Sequence, residues 1–568
     1  MATFVYERIL DLLEAEGIKT LFGIPDPSFF HMFTTAEKRG WRVVAPHHEE
    51  AGGFMAEAMW RMTGRPGVVV GNQGPGVANL VPAAICAAKE NTPTLFIGGQ
   101  RRRVAEQRVK RGRIQFIRQS QHFESVMKYV GIIEYPEQTD EVIHEAFRRA
   151  LTGTPGPVFV EYPMNVIKAQ LDLPPALPPE AYRLVHPCAS APAVEAAVAL
   201  LRNARQPILL IGQGVFAARA HEAIAALARA LGCPVIQTSG ATSFLKGLEE
   251  RTFAYGLSPA AVDAVVKSDV VLAIGTELGE PVHHGTGHHW SKGNVDRTWI
   301  LIESDATAIG VNRPIDVPLV GDLRAVVPQL MAAFKDRPRA PSAELDSWIK
   351  QHAAYKAGIV ASVPKESAPI HPARSMFEAT RAIPQDAVYV RDGGTTSIYS
   401  WTYSQSMPSD LLWNQNFGHL GTGLPYAIGA QLAVGPDRRV VLVTSDSAFL
   451  FHISELETAV RKNLPVVCIV ACDYAWGLEV RGYRAIIGPE SPETEAHWGK
   501  VRLDKVAEGF GAHGEYVERA EDIGPAVARA LASGKAAVVQ VPVNARENAA
   551  LQLPGYDEFK TWYTDFTY

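Results

Sequence analysis

The sequence predicts an α/β protein built from three doubly wound parallel-sheet domains. Two observations carry this: short β-branched apolar runs alternate with stretches of helical periodicity, and two proline-bearing segments divide the chain into thirds. With 568 residues, 47% of them hydrophobic, the chain is long enough to fill three separate cores. The first third opens on a helical pattern, Val5, Ile9, Leu12 and Leu13, and closes on the strand-like run Gly156-Pro-Val-Phe-Val-Glu-Tyr-Pro163. Residues 171–192 contain Pro-Pro twice with little periodicity and read as a linker. The middle third alternates helical stretches with apolar runs at 207–212, 270–275 and 299–303. Residues 335–342, charged and proline-bearing, read as a second linker. The expected domains are 1–170, 190–335 and 360–550, followed by a tail at 551–568. The stretch from 547 to the end is rich in Tyr and Trp and reads either as a lid or as surface packing.

The last third carries the most informative spacing. A β-branched run from 439 ends on Asp446 and is followed by Ile453, Leu456, Ala459 and Val460 at helical spacing; a second apolar run from 464 ends on Asp473, twenty-seven residues after Asp446. Runs of this kind, separated by a helix, read as parallel strands buried on both faces, whose carboxyl ends form the ligand crevice. Two carboxylates meeting there ask for a hard cation, and a cation beside a helix start asks for phosphate.

These residues resemble the fingerprint of the thiamine diphosphate-dependent superfamily of acetolactate synthases, benzaldehyde lyases, 2-hydroxyacyl-CoA lyases and oxalyl-CoA decarboxylases. There a Gly-Asp-Gly or Gly-Asp-Ser opens the motif and an Asn-Asn closes it; here the opening is Ser445-Asp446-Ser447 and the close is Cys472-Asp473. The resemblance implies Asp446, Asp473 and the carbonyl of Ala475 as ligands of Mg²⁺, with Asp for Asn adding a negative charge to the site. Ser447 and Ala448 then belong to the cofactor site. The segment Val43-Val-Ala-Pro-His-His-Glu-Glu-Ala-Gly-Gly-Phe-Met-Ala-Glu57 is similar to the region whose glutamate hydrogen-bonds the aminopyrimidine N1′ and exchanges a proton with it. Register with Gly53, Ala56 and Glu57 favours Glu49 over Glu50 for that role.

Further segments fall in the family's order. Gly71-Asn-Gln-Gly-Pro-Gly-Val-Ala-Asn-Leu80 resembles a turn that needs glycine for close backbone approach. Asn416-Phe-Gly-His-Leu-Gly-Thr-Gly-Leu-Pro-Tyr-Ala-Ile-Gly-Ala430 resembles the segment under the cofactor; it implies Gly418 as a backbone contact of the aminopyrimidine and Leu420 as the apolar wedge between the two rings. Asp392-Gly-Gly-Thr-Thr396 falls where the family contacts the diphosphate, with Thr395 and Thr396 offering hydroxyls. Gln115 matches an active-site glutamine that reaches the substrate's oxygen, and Asp26 stands where many relatives have glycine, narrowing or acidifying the pocket. The resemblance therefore implies an aminopyrimidine-binding (PYR) domain, a central Rossmann-like domain and a diphosphate-binding (PP) domain, assembled as a homodimer or homotetramer with sites at the subunit interface.

Several features bound the partners. A net charge of −5 gives no reason to expect nucleic acid. Five cysteines without a disulfide framework, no amino-terminal signal pattern and no apolar run long enough for a bilayer lead to the expectation of a cytoplasmic protein without a membrane partner. Gly212-Gln-Gly214 lacks the third glycine of a dinucleotide fingerprint and reads as a tight turn, so FAD or ADP in the central domain, which relatives hold, has no support from the sequence. His283-His-Gly-Thr-Gly-His-His289 reads as a surface loop without a metal. Seven basic residues between Arg101 and Arg113 form either a solvated loop or an attraction for an anionic substrate, a 2-oxo acid or an acyl-CoA. The expected activity is acetolactate synthase-like carboligation or 2-oxo acid decarboxylation on a 2-oxo acid or 2-hydroxy carbonyl compound. The alternatives are a 2-hydroxyacyl-CoA lyase or oxalyl-CoA decarboxylase-like lyase, and a catalytically degenerate subunit.

Overall fold

The computed structural model describes residues 3–106, 108–241, 245–365, 368–404, 408 and 410–553. Three six-stranded sheets follow one another along the chain, and every strand pairing within them is parallel. The first runs in space Arg42–Val44, Thr20–Phe22, Val68–Gly71, Leu95–Gln100, Val158–Pro163, Tyr129–Ile132. The third runs Asp410–Leu412, Val388–Arg391, Val440–Ser445, Val467–Cys472, Ala537–Pro542, His513–Tyr516. Counted in chain order within their domains, both read 2-1-3-4-6-5. The central sheet, Thr252–Ala254, Val235–Gln237, Pro207–Ile211, Val270–Ile274, Thr298–Glu303, Val317–Val320, reads 3-2-1-4-5-6, the Rossmann order. The outer domains thus share one topology and the middle one differs, which hydrophobic periodicity does not report.

The inner strands are apolar because helices cover both faces: Val440–Ser445 and Val467–Cys472 are buried at every position. The first helix, Val5–Ala15, buries Val5, Ile9, Leu12 and Leu13 as its periodicity predicts. The helical pattern after Asp446 is two helices, Asp446–Phe451 and Glu455–Arg461, broken at His452. Between strand Gln170–Leu171, which pairs antiparallel with Thr3–Phe4, and helix Ala191–Asn203 the chain is irregular apart from one 3₁₀ turn, so the expected linker ends inside that helix. After the second linker, helix Leu345–Ser362 buries Trp348 in the central core and Ile359 in the core of the third domain, bridging the two. All five cysteines are free, with Cys468 and Cys472 on one buried strand. No helix among the described residues is long and apolar enough to cross a membrane. Of the stretch from 547 on, expected as a lid or as surface packing, residues 547–550 belong to helix Ala545–Ala550 and those from 554 on lie outside the described residues.

The junction that matters for the site joins the first and third domains. Helix Glu49–Thr63, capped by the His48 side chain at one end and by left-handed Gly64 at the other, packs along helix Gly423–Val434. A Cβ on Gly429 would strike the carbonyl oxygen of Met55, so glycine permits the close approach. Gly429→Ala is therefore expected to lower stability by about 1–3 kcal/mol, the usual cost of overpacking, read as a drop in the midpoint of urea unfolding. An unchanged midpoint would mean that the helices separate without cost.

Candidate active site

Asp446 and Asp473 end adjacent parallel strands, Val440–Ser445 and Val467–Cys472, so register alone brings their carboxyls to one crevice. Both are buried, and burial pushes both carboxyls up in pKa, Asp446 well above the usual range because Asp473 adds like charge. Asp446 accepts the backbone N–H groups of Ser447 at 3.0 Å and of Tyr474 at 3.0 Å, which aims the carboxylate at the crevice. Asp473 accepts the N–H of the buried Ala475 at 3.3 Å. Two buried carboxyls that oppose each other's ionisation are a donor set suited to a hard divalent cation, which would take the place of the proton they otherwise need.

Sequence reasoning missed the residue that completes this pair. Asn548 donates one amide proton to Asp473 at 2.5 Å and the other to the Thr395 hydroxyl at 2.9 Å, tying the clamp to the start of helix Thr395–Tyr403. Gly477 makes room for that contact, since a Cβ there would strike the Asp473 carboxylate. Ser447 lies against Ser445, hydroxyl to hydroxyl at 2.8 Å, and the Ala448 N–H reaches Ser445 at 3.3 Å. Thr396, buried beside Thr395, occupies the same first turn. A helix start lined with hydroxyls and backbone N–H groups beside two carboxyls fits a diphosphate held through a cation.

The other half of the constellation stands on the first domain. Glu49 is buried and accepts the Asn79 amide at 3.0 Å, with its second oxygen against Gly76 of the glycine-rich turn. Glu50, one position on, points elsewhere: burial alone would raise its pKa, but His419 at 3.2 Å and His452 at 3.6 Å bring it down to about 2. A carboxylate ionised at every ordinary pH cannot share a proton near neutrality, so geometry separates the two neighbouring glutamates.

Three family models cover the three units in order: the N-terminal TPP binding domain of thiamine pyrophosphate enzymes matches residues 4–124, their central domain 194–330, and their C-terminal TPP binding domain 392–541. The chain belongs to the thiamine pyrophosphate enzyme family. It is 27% identical over 560 residues to an acetolactate synthase large subunit of Parasynechococcus marenigrum, covering 96% of this chain and 88% of that one. It is 27% identical over 580 residues to a sulfoacetaldehyde acetyltransferase of Alcaligenes xylosoxydans xylosoxydans, covering 94% and 92%, and 28% identical over 563 residues to a 2-hydroxyacyl-CoA lyase of Arabidopsis thaliana, covering 94% and 95%.

In this thiamine pyrophosphate enzyme the segment 416–423 hangs from Asp392, which opens the motif at 392–396, and from Glu90, which no motif singled out. Asp392, buried and raised to about 6 by that burial, accepts the N–H groups of Gly421 at 2.9 Å and Gly423 at 2.8 Å. Glu90 accepts those of Asn416 at 2.6 Å and Phe417 at 3.1 Å, and itself pairs with Arg61, which also holds Glu57. Between these anchors Gly418 is exposed with φ of +68° and Leu420 is half-buried. Gln115 is exposed in left-handed backbone beside Gln73, whereas Gln119, buried, holds the Gly74 N–H at 3.2 Å. Asp26 accepts the Ser28 N–H at 2.9 Å in a local turn, a structural use of the carboxylate.

One central-domain expectation holds and another changes. Gly212 and Gly214 do form a close turn, against Gly275, but the turn sits at the switch point of the Rossmann order and lines a cavity of about 520 Å³ that also takes in Glu303 and Asp322. The segment 283–289 is not simply a surface loop: Trp290 is buried and draws His289 in with it, and burial lowers that imidazole to about 4. Its histidines stack, with the rings of His288 and His289 4.0 Å apart, and do not converge on a common point.

Proposed function

We propose that this chain is a thiamine diphosphate- and Mg²⁺-dependent enzyme that makes or breaks a carbon–carbon bond next to a carbonyl, by acetolactate synthase-like carboligation or 2-oxo acid decarboxylation. The observation that carries the reading is the buried Asp446–Asp473 pair at the carboxyl ends of adjacent parallel strands. In this reading Asp446, Asp473 and the carbonyl of Ala475 hold the ion. Thr395, Thr396, Ser447 and Ala448 receive the diphosphate, Gly418 meets the aminopyrimidine through its backbone, and Leu420 separates the rings. When bound, the cofactor supplies the electron sink. Glu49 moves a proton at the aminopyrimidine N1′, and Gln115 orients the substrate oxygen. In this reading the chain assembles as a homodimer or homotetramer whose sites form between copies, with the Glu49 half built on the first domain and the clamp on the third.

A second reading, 2-hydroxyacyl-CoA lyase, is favoured by a cavity of about 500 Å³ lined by Arg108, Lys110, Arg111, Arg113 and Arg118 next to Gln119, a setting that suits the phosphates of a thioester substrate. Titration with thiamine diphosphate and Mg²⁺, followed by a screen of 2-oxo acids, 2-hydroxyacyl-CoA thioesters and sulfoacetaldehyde, tests both. Turnover of 2-oxo acids supports the first reading, turnover of thioesters alone supports the second, and no cofactor binding leaves a degenerate subunit.

Leu420→Ala is expected to reduce turnover while costing less than the about 2–5 kcal/mol of a fully buried Leu→Ala change, because the side chain is only half-buried in the chain. Unaltered turnover together with unaltered circular dichroism of the bound cofactor would take Leu420 out of the site.

A further inference from the structure

The cluster around Glu50 has no part in the reading above. One of its oxygens, Oε1, is met by His419 Nε2 at 3.2 Å. The other, Oε2, faces His452 Nε2 at 3.6 Å and His48 Nδ1 at 3.8 Å, both too long for hydrogen bonds. His452 directs its Nδ1 at the carbonyl of Gly421, 2.9 Å away; a carbonyl only accepts, so Nδ1 carries a proton, and Nε2, which faces the carboxylate, holds either a second proton or a cation. His419 makes the same kind of contact, Nδ1 to the carbonyl of Leu420 at 2.8 Å. A nitrogen lone pair set opposite a carboxylate oxygen repels it unless something positive lies between them.

We propose that Glu50, His452 and His48 form a binding site for one divalent transition-metal ion of the zinc class, which pins the first domain to the third beside the segment carrying Leu420. Among the described residues this is the group of His, Cys, Asp or Glu side chains whose ligand atoms gather within 4.8 Å of one another. Bonds of about 2.0–2.2 Å from a tetrahedral ion to imidazole nitrogen and carboxylate oxygen place ligand atoms roughly 3.3–3.6 Å apart, near the spacings seen here. The carbonyl of Gly421 orients His452 and His419 holds the free carboxylate oxygen, the outer-shell support such a site needs. His452 and Glu50 are largely shielded, with Phe54 packed on the His452 ring at 5.8 Å, while His48 is nearly half exposed and leaves a path for the ion. His48 Nδ1 lies at the cluster and accepts the Glu50 N–H at 3.3 Å, a long bond that coordination of the ion would replace. Imidazole donors select a borderline ion over Mg²⁺, which the all-oxygen clamp at Asp446 suits better.

The test is Zn²⁺ binding to the full-length chain without an affinity tag, read by competition with a chromophoric chelator and by zinc X-ray absorption. One ion per chain with two imidazole rings in its scattering is expected. His48→Asn, whose side-chain oxygen can keep the cap on helix Glu49–Thr63, and His452→Asn should each weaken binding by more than the roughly 10- to 100-fold that loss of an outer-shell partner causes. An ion with oxygen ligands only, which is the signature of the Asp446–Asp473 clamp, overturns the proposal. So does an affinity unchanged in both variants, or no binding at all, in which case a proton on His452 occupies the gap.

Discussion

Glu49→Gln is expected to slow exchange of the C2 proton of bound thiamine diphosphate by about 10²–10⁴, the range for loss of a general acid–base group, while cofactor affinity changes by less than about tenfold. The amide keeps the volume of the carboxyl, and its oxygen can still accept from Asn79, so the wall of the site stays as built. What it loses is the capacity to take and return a proton at N1′. Hydrogen–deuterium exchange at C2, followed by rapid quench and NMR, reads this step apart from turnover. Exchange that persists in Glu49→Gln and collapses in Glu50→Gln would transfer the role to the neighbour. The geometry speaks against that outcome, since Glu50 is engaged by His419 and His452 and stays ionised down to about pH 2.

The second large effect is expected at the clamp. Asp446→Ala should remove tight cofactor binding, because it leaves Asp473 buried without the ion that both carboxylates share. Breaking a buried charge pair typically costs about 3–5 kcal/mol, or roughly two to four orders of magnitude in Kd. Asp473→Asn should act in the opposite sense on metal dependence. Its carbonyl oxygen can still accept from Asn548, its amide can donate to Asp446, and the like-charge repulsion that raises the Asp446 pKa disappears. Cofactor affinity in that variant should therefore depend less on Mg²⁺ concentration than in the parent. Calorimetric titration at several Mg²⁺ concentrations for the three proteins decides the matter. Tight, metal-independent binding in all of them would remove the clamp and much of the proposed function with it.

The sequence by itself determined the α/β class, the separation into three units and the location of the crevice. Strands buried on both faces must be apolar without interruption, so the runs ending on Asp446 and Asp473 announce both the parallel strands and the point where those strands release polar side chains. The order of the motifs likewise pointed to the family before any contact was known. Only the tertiary structure decided which groups act on those residues. Asn548 lies 75 positions from Asp473 yet hydrogen-bonds it, and Asp392 holds the glycines at 421 and 423. Glu49 and Glu50 are adjacent in sequence, but one meets Asn79 and the other His419 and His452. Periodicity along a chain reports which face of an element is buried; which distant residue meets that face depends on sheet order and helix packing, and these arise from contacts between elements whose spacing in sequence carries no regular signal.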